Sequence, residues 1–148
     1  MKAIVQRVNT SNVSINGDLI AEIGKGLNVL LGVCEGDKQK DAEILADKIV
    51  HLRCFDDEDG KMNLSLMDKG AEILSIPQFT LCADCSSGRR PGFDKAADPG
   101  LARDLYEYFN SQLEQQVGEI ETGRFGTYMG VEIENDGPVT FILDSKQL

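Results

Sequence analysis

The chain has 148 residues, 41% of them hydrophobic and 27% charged, which suits one globular domain over 1–148 with a real core. A formal net charge of -10 argues against broad, sequence-independent binding of nucleic acid, which needs many Lys or Arg groups to release phosphate counterions, so any RNA contact must be local. No apolar run approaches the roughly 20 residues that a membrane-spanning helix needs. Met1-Lys2 opens directly into strand-like sequence without a signal peptide, which predicts a cytoplasmic location and no membrane partner.

Alternation predicts strands over Ala3 to Val8 and Val13 to Ile15, then a hairpin through Asn16-Gly17 into Leu19 to Ile23. Gly24-Lys25-Gly26 makes the next turn, and Leu27 to Val33 is apolar enough for a buried central strand. Val29 occupies the third glycine position of a dinucleotide fingerprint, which leaves Gly24 and Gly26 as turn glycines. Asp37 reads as the cap of an amphipathic helix to about Leu52, with Ile44, Leu45, Ile49 and Leu52 on one face and Lys38, Lys40, Asp41 and Asp47 filling the other. His51 falls in its last turn, where a basic residue suits the helix dipole. Arg53-Cys54-Phe55 is strand-like, and the acidic run Asp56 to Lys61 lacks calcium-loop spacing and reads as a solvated turn.

After the apolar Ala71 to Ile76, Asp98-Pro99 starts a second helix, with Asp as cap and Pro at the first helical position. Leu101, Leu105, Tyr108, Phe109 and Leu113 make its expected buried stripe, and Gly118 stops it. Thr127 to Ile133 and Val139 to Leu143 read as two strands joined through Asn135-Asp136-Gly137-Pro138. Strands before, between and after two main helices predict an α+β fold, mostly antiparallel, with the helices packed on one side.

Four cysteines stand at 34, 54, 82 and 85, and only Cys82 and Cys85 have the C-x-x-C spacing of redox or zinc sites. Cys34, Cys54 and the single His51 supply no second close pair of ligands, so free thiols and no metal are expected. One histidine on a helix, far from any nucleophile motif, also leaves a Ser-His-Asp or Cys-His triad without its base. Ser86-Ser87-Gly88-Arg89-Arg90, followed by Lys95 and Arg103, is the candidate patch for a local RNA contact, and read plainly it is a solvated basic loop.

Ile76-Pro77-Gln78-Phe79-Thr80-Leu81 and Asn135-Asp136-Gly137-Pro138-Val139-Thr140 each follow a strand pattern with groups that leave backbone amides or a restricted peptide bond open. By spacing alone the first is a strand end and the second a tight turn. With Thr122-Gly123-Arg124-Phe125-Gly126 behind them, these segments closely resemble the D-aminoacyl-tRNA deacylases, a likeness running from Met1 to about Asp144. The resemblance implies hydrolysis of D-aminoacyl-tRNA, and of glycyl-tRNA, by a homodimer without cofactors whose active site lies at the subunit interface.

In that pattern Gln78, Phe79 and Thr80 form the catalytic segment, with backbone donors and the terminal 2′-hydroxyl of tRNA taking the place of a protein nucleophile. Gly137-Pro138 is expected to be cis and to enter the partner's pocket, where it rejects an L side chain, while Arg7 holds it inward. Arg89, Arg90 and Phe93 match the region that meets acceptor-stem phosphates or the terminal adenosine. Two positions depart from the pattern, Pro77 and Gly92, both serine in most members, and Pro77 bears on the strictness of selection more than on activity. The rival expectation is a noncatalytic RNA-binding or interaction protein that retains the fold.

Overall fold

In the computed structural model, which describes residues 1–148, the first alternation runs on through one long strand, β1 (Lys2–Ile15), where two were expected. Its buried set changes step around Val8 to Ser11, so a single strand serves two cores. β2 (Asp18–Ile23) returns through the Asn16-Gly17 turn, and β3 (Gly26–Gly32) pairs antiparallel with the first half of β1. α1 (Gln39–Val50), a small hairpin of β4 (Phe55–Asp56) and β5 (Met62–Leu64), and the single turn α2 (Leu66–Lys69) then carry the chain across to β6 (Glu72–Pro77). That crossover lets β6 lie parallel to β3, a pairing no tight turn can make.

A 3-10 turn (Phe79–Cys82) follows β6, then α3 (Pro99–Val117), the short β7 (Glu121–Thr122) parallel to β6, and β8 (Gly130–Asp144) antiparallel along β1. The sheet order is β2-β1-β3-β6-β7 with β8 beside β1, so the system is mixed but mainly antiparallel. The two long helices pack on one face, over Ala3, Val5, Leu27, Val29, Leu31 and Ile73. Val8, Val13, Ala21, Ile23, Leu74 and Ile76 make a smaller core on the other face. No helix is long and apolar enough to cross a membrane.

Four local expectations change. The N-cap of α1 is Lys38, whose amide donates to Asp41 at 2.9 Å, because the Asp37 carboxylate is taken by the Met1 ammonium at 2.6 Å and the Cys34 amide at 2.7 Å. In α3, Leu101 is 45% exposed and Tyr106 takes its place in the buried stripe, since the face turned to the sheet follows Ala102, Leu105, Tyr106, Phe109 and Leu113. The two C-terminal strands are one, β8, which leaves β1 only for an excursion at its middle. Cys34 and Cys82 form a disulfide with Cα atoms 5.6 Å apart, leaving Cys54 and Cys85 as the free thiols. Spacing could not reveal that pair, because parallel pairing of β3 and β6 is what brings residues 48 apart in sequence together.

Candidate active site

Pro77 ends β6 and has no N-H to continue a ladder, so the chain turns away from the sheet at Gln78. The Gln78 amide still donates to the Leu31 carbonyl at 2.7 Å, which pins the start of the 3-10 turn to the end of β3. Phe79 and Thr80 come next, both exposed, and as the first residues of a helical turn their amides have no preceding carbonyl to bond. Neither donates to another group of the chain. The Gln78 side-chain amide donates to the Thr80 hydroxyl oxygen, so Thr80 is oriented but faces no base.

Close packing fixes this turn. A Cβ on Gly32 would lie 2.8 Å from Leu81 Cβ and 3.0 Å from the Gln78 carbonyl oxygen. On the other side Gly123 sits beneath Pro77, and its amide donates to the Ser75 carbonyl at 2.8 Å. Tyr106 donates its hydroxyl to the same carbonyl at 2.9 Å, and burial pushes its phenol up from the usual range. The sequence pointed to neither Gly32 nor Tyr106, since contacts across the sheet carry no local signal.

The second segment is built differently. Gln6 of β1 faces Thr140 and Val8 faces Asn135, so residues 136–139 of β8 bow out opposite Arg7 alone. Asn135 closes the bow with its own amide, accepting from the Val139 N-H at 2.7 Å and donating to the Val139 carbonyl at 3.0 Å. Arg7, only 7% exposed, donates from Nε to the Asp136 carbonyl at 3.2 Å and pairs with the Asp136 carboxylate at 3.1 Å. Its Nη1 reaches the Cys54 carbonyl at 2.8 Å and Asp56 at 3.2 Å, so the β4–β5 hairpin braces it from behind. The Gly137-Pro138 bond is cis, and both residues are exposed. The clamp by Asn135 was not read from sequence, although an Asn two residues before Gly-Pro was its visible sign.

The structure brings Phe93 to the first segment, its ring 5.1 Å from that of Phe79. Arg89 and Arg90 lie on the exposed loop closed by the Asp84 and Gly92 backbone pair, and neither makes an ion pair. Lys95 is instead bound to Asp84 at 2.7 Å, and this bond and those from Ser86 hold the Asp84 carboxyl well below the usual range. Arg103 lies 5.5 Å over the Phe125 ring, outside the basic cluster. His51 is exposed and bonded to the Asp47 carbonyl within its own helix. No group of three or more His, Cys, Asp or Glu side chains is arranged to hold a metal ion.

Within one chain the two segments stay apart. Arg7, beneath the Gly137-Pro138 bow, faces Leu27 at one end of β3, while the turn is pinned to Leu31 near the other. Four residues of strand separate them, about 13 Å at about 3.3 Å per residue.

A sequence profile of the family described as D-Tyr-tRNA(Tyr) deacylase matches residues 4–144. The D-aminoacyl-tRNA deacylase of Thermosipho melanesiensis is 54% identical over 149 residues, covering 100% of this chain and 99% of its own. That of Bacillus licheniformis is 53% identical, covering 99% of each. Among solved structures, a c-Myc DNA unwinding element binding protein superposes with a TM-score of 0.92 at 44% identity, over 97% of this chain and 98% of its own. A probable eukaryotic D-amino acid tRNA deacylase gives 0.82 at 17% identity over the same shares, a likeness of fold. With a profile matching nearly the whole chain and full-length relatives at such identity, this chain belongs to the D-Tyr-tRNA(Tyr) deacylase family, a family of hydrolases.

Proposed function

We propose that this protein hydrolyses the ester of D-aminoacyl-tRNA, and of glycyl-tRNA, at a site completed only by a second copy of the chain. The observation that carries the reading is the separation of the two segments along β3, which one chain does not close. Between them the sheet exposes an apolar row: Ile4 faces both Leu30 and Ile142, and Ile142 is 78% exposed. A two-fold contact on that row sets the bow of each subunit against the turn of the other, as an isologous dimer does.

An activated ester asks little of a protein beyond placement and donors for the developing charge. Water adds to the ester carbonyl beside the ribose 2′-hydroxyl, and the oxyanion takes bonds from the Phe79 and Thr80 amides. Collapse breaks the bond to the 3′-oxygen, which takes the proton and leaves as tRNA. Thr80, held by Gln78, positions the substrate. The partner's Gly137-Pro138 backbone presents a rigid surface to the α-carbon that an L side chain strikes, while a D side chain or the hydrogen of glycine clears it. Unpaired Arg89 and Arg90, with Phe93, suit the 3′ end of the acceptor strand.

Deacylation of D-tyrosyl-tRNA set against L-tyrosyl-tRNA tests the reaction, and equal rates on the two would sink the chiral filter. Mixing tests the shared site. A Gly32→Val subunit has a spoiled turn and a sound bow, and an Arg7→Ala subunit the reverse, so their mixed dimer contains one sound site. Equal mixing should about double the D-over-L preference of the Arg7→Ala protein, because half of its sound turns then meet a sound bow; an unchanged preference would place both segments in one chain. Binding of nucleic acid without turnover would favour the noncatalytic rival, which the likeness to a c-Myc DNA unwinding element binding protein encourages and a net charge of -10 opposes.

A further inference from the structure

The Cys34–Cys82 disulfide joins the loop after β3 to the last residue of the turn that carries Phe79 and Thr80. Cys82 Sγ lies against Gly32, the residue on which that turn rests. Besides this bond and the packing of Leu81 on Gly32, the turn is held to β3 by one hydrogen bond, from the Gln78 amide to the Leu31 carbonyl. The two sulfur-bearing residues line an open cleft of about 230 Å3 whose rim mixes Lys2, Lys95 and Lys146 with Glu35, Asp37 and Asp144. Cys34 is half-buried and Cys82 buried, so an incoming thiolate meets the Cys34 sulfur first. The other cysteines do not compete equally: burial pushes the Cys54 thiol up to about 11, and Cys85 alone is exposed.

We propose that Cys34–Cys82 is a reversible thiol–disulfide site that sets the rigidity of the Gln78–Thr80 turn, and through it the turnover of the reaction proposed above; the second part rests on that reading. The co-reactant is a dithiol. Its thiolate attacks Cys34 Sγ, forming a mixed disulfide and releasing Cys82 as thiolate, which takes a proton. The second thiol of the reductant then attacks its own sulfur in the mixed disulfide, releasing Cys34, so the reductant is oxidised to a disulfide and the protein gains two thiols. Disulfides in proteins kept among reduced thiols are mostly transient and regulatory, which suits a pair placed beside a reacting centre.

The test uses the full chain with Cys85→Ser, which removes the one exposed competing thiol and lies outside the proposed machinery. After oxidised dithiothreitol, peptide mapping should find the Cys34–Cys82 link, and dithiothreitol should remove it. Reduction should speed amide exchange at Gln78, Leu81 and Ala83, whose amides are bonded in the turn, and lower kcat on D-tyrosyl-tRNA about threefold to tenfold with KM little changed, reversibly. A Cys34→Ser, Cys82→Ser double variant should sit at the reduced rate under both conditions. Mapping and exchange need no substrate, so they stand apart from the deacylase reading. Faster exchange on reduction in a protein inert on D-aminoacyl-tRNA would support the redox lock and sink only that reading, whereas no link, or exchange equal in the two states, would overturn the lock whatever the rates do.

Discussion

The turn at Gln78–Thr80 and the bow at Asn135–Thr140 both present backbone to the outside, but they are held by opposite means. Apolar and steric contact fixes the turn, with Gly32 beneath Leu81 and Gly123 beneath Pro77. Polar side chains fix the bow, through Arg7 on Asp136 and Asn135 on Val139. The difference follows from position. A turn at the end of a parallel strand lies over a neighbouring strand and is shaped by how closely backbones approach. A bow that leaves the ladder has no neighbour, so side chains must satisfy the amides and carbonyls it frees.

The sharpest way to break the packed region is Gly32→Val, whose Cβ meets Leu81 and the Gln78 carbonyl with no room to move. Activity on D-tyrosyl-tRNA should fall at least about a hundredfold, or about 2.7 kcal/mol of barrier, while thermal melting still shows a folded protein. Arg7→Ala breaks the polar region. It leaves Asp136 and the Cys54 carbonyl without their donor, so the preference for D over L substrates should shrink by about tenfold or more, because the filter loosens while the oxyanion donors stay. Measuring both enantiomers separates this from general damage, which slows the two alike.

Thr80→Ala sharpens the comparison within the turn. The donors assigned there are amides that survive the change, so a loss within about tenfold is expected in kcat, about 1.4 kcal/mol. A complete loss with folding intact would mean that the hydroxyl attacks the ester itself.

The smallest expected effect lies away from both regions, at Asp41. Burial raises its carboxyl, but bonds from Lys146, Ser145 and the Lys38 amide outweigh that and bring it from 3.8 to about 2. A depressed folded value means the contribution is present above the unfolded value near 3.8 and is lost as pH falls through about 2. Urea unfolding between pH 5 and pH 2 should therefore lose about 2 kcal/mol more in the parent than in Asp41→Asn. An equal loss in both would show that the carboxylate is not held as described.

Much of the fold was legible because its signals are local. The Asn16-Gly17 hairpin, the Asp98-Pro99 helix start and the Gly118 stop each rest on the chemistry of one or two residues. Leu101 misled because it fits helical spacing, while the face that counts is set by the sheet it meets. Asp37 misled because a nearby ammonium outcompeted a helix amide for its carboxylate.

By itself the sequence determined most of the element types and the family kinship that two short segments carry, since periodicity, turn chemistry and short motifs are written in neighbouring residues. Only the tertiary structure decided that β6 runs parallel to β3, that Cys34 meets Cys82, that Gly32 is the floor of the turn and that the two segments lie at opposite ends of one strand. Each of these depends on which strands become neighbours and in what register. That choice is made by burying both faces of the sheet at once, a property of the whole chain that no short window of it contains.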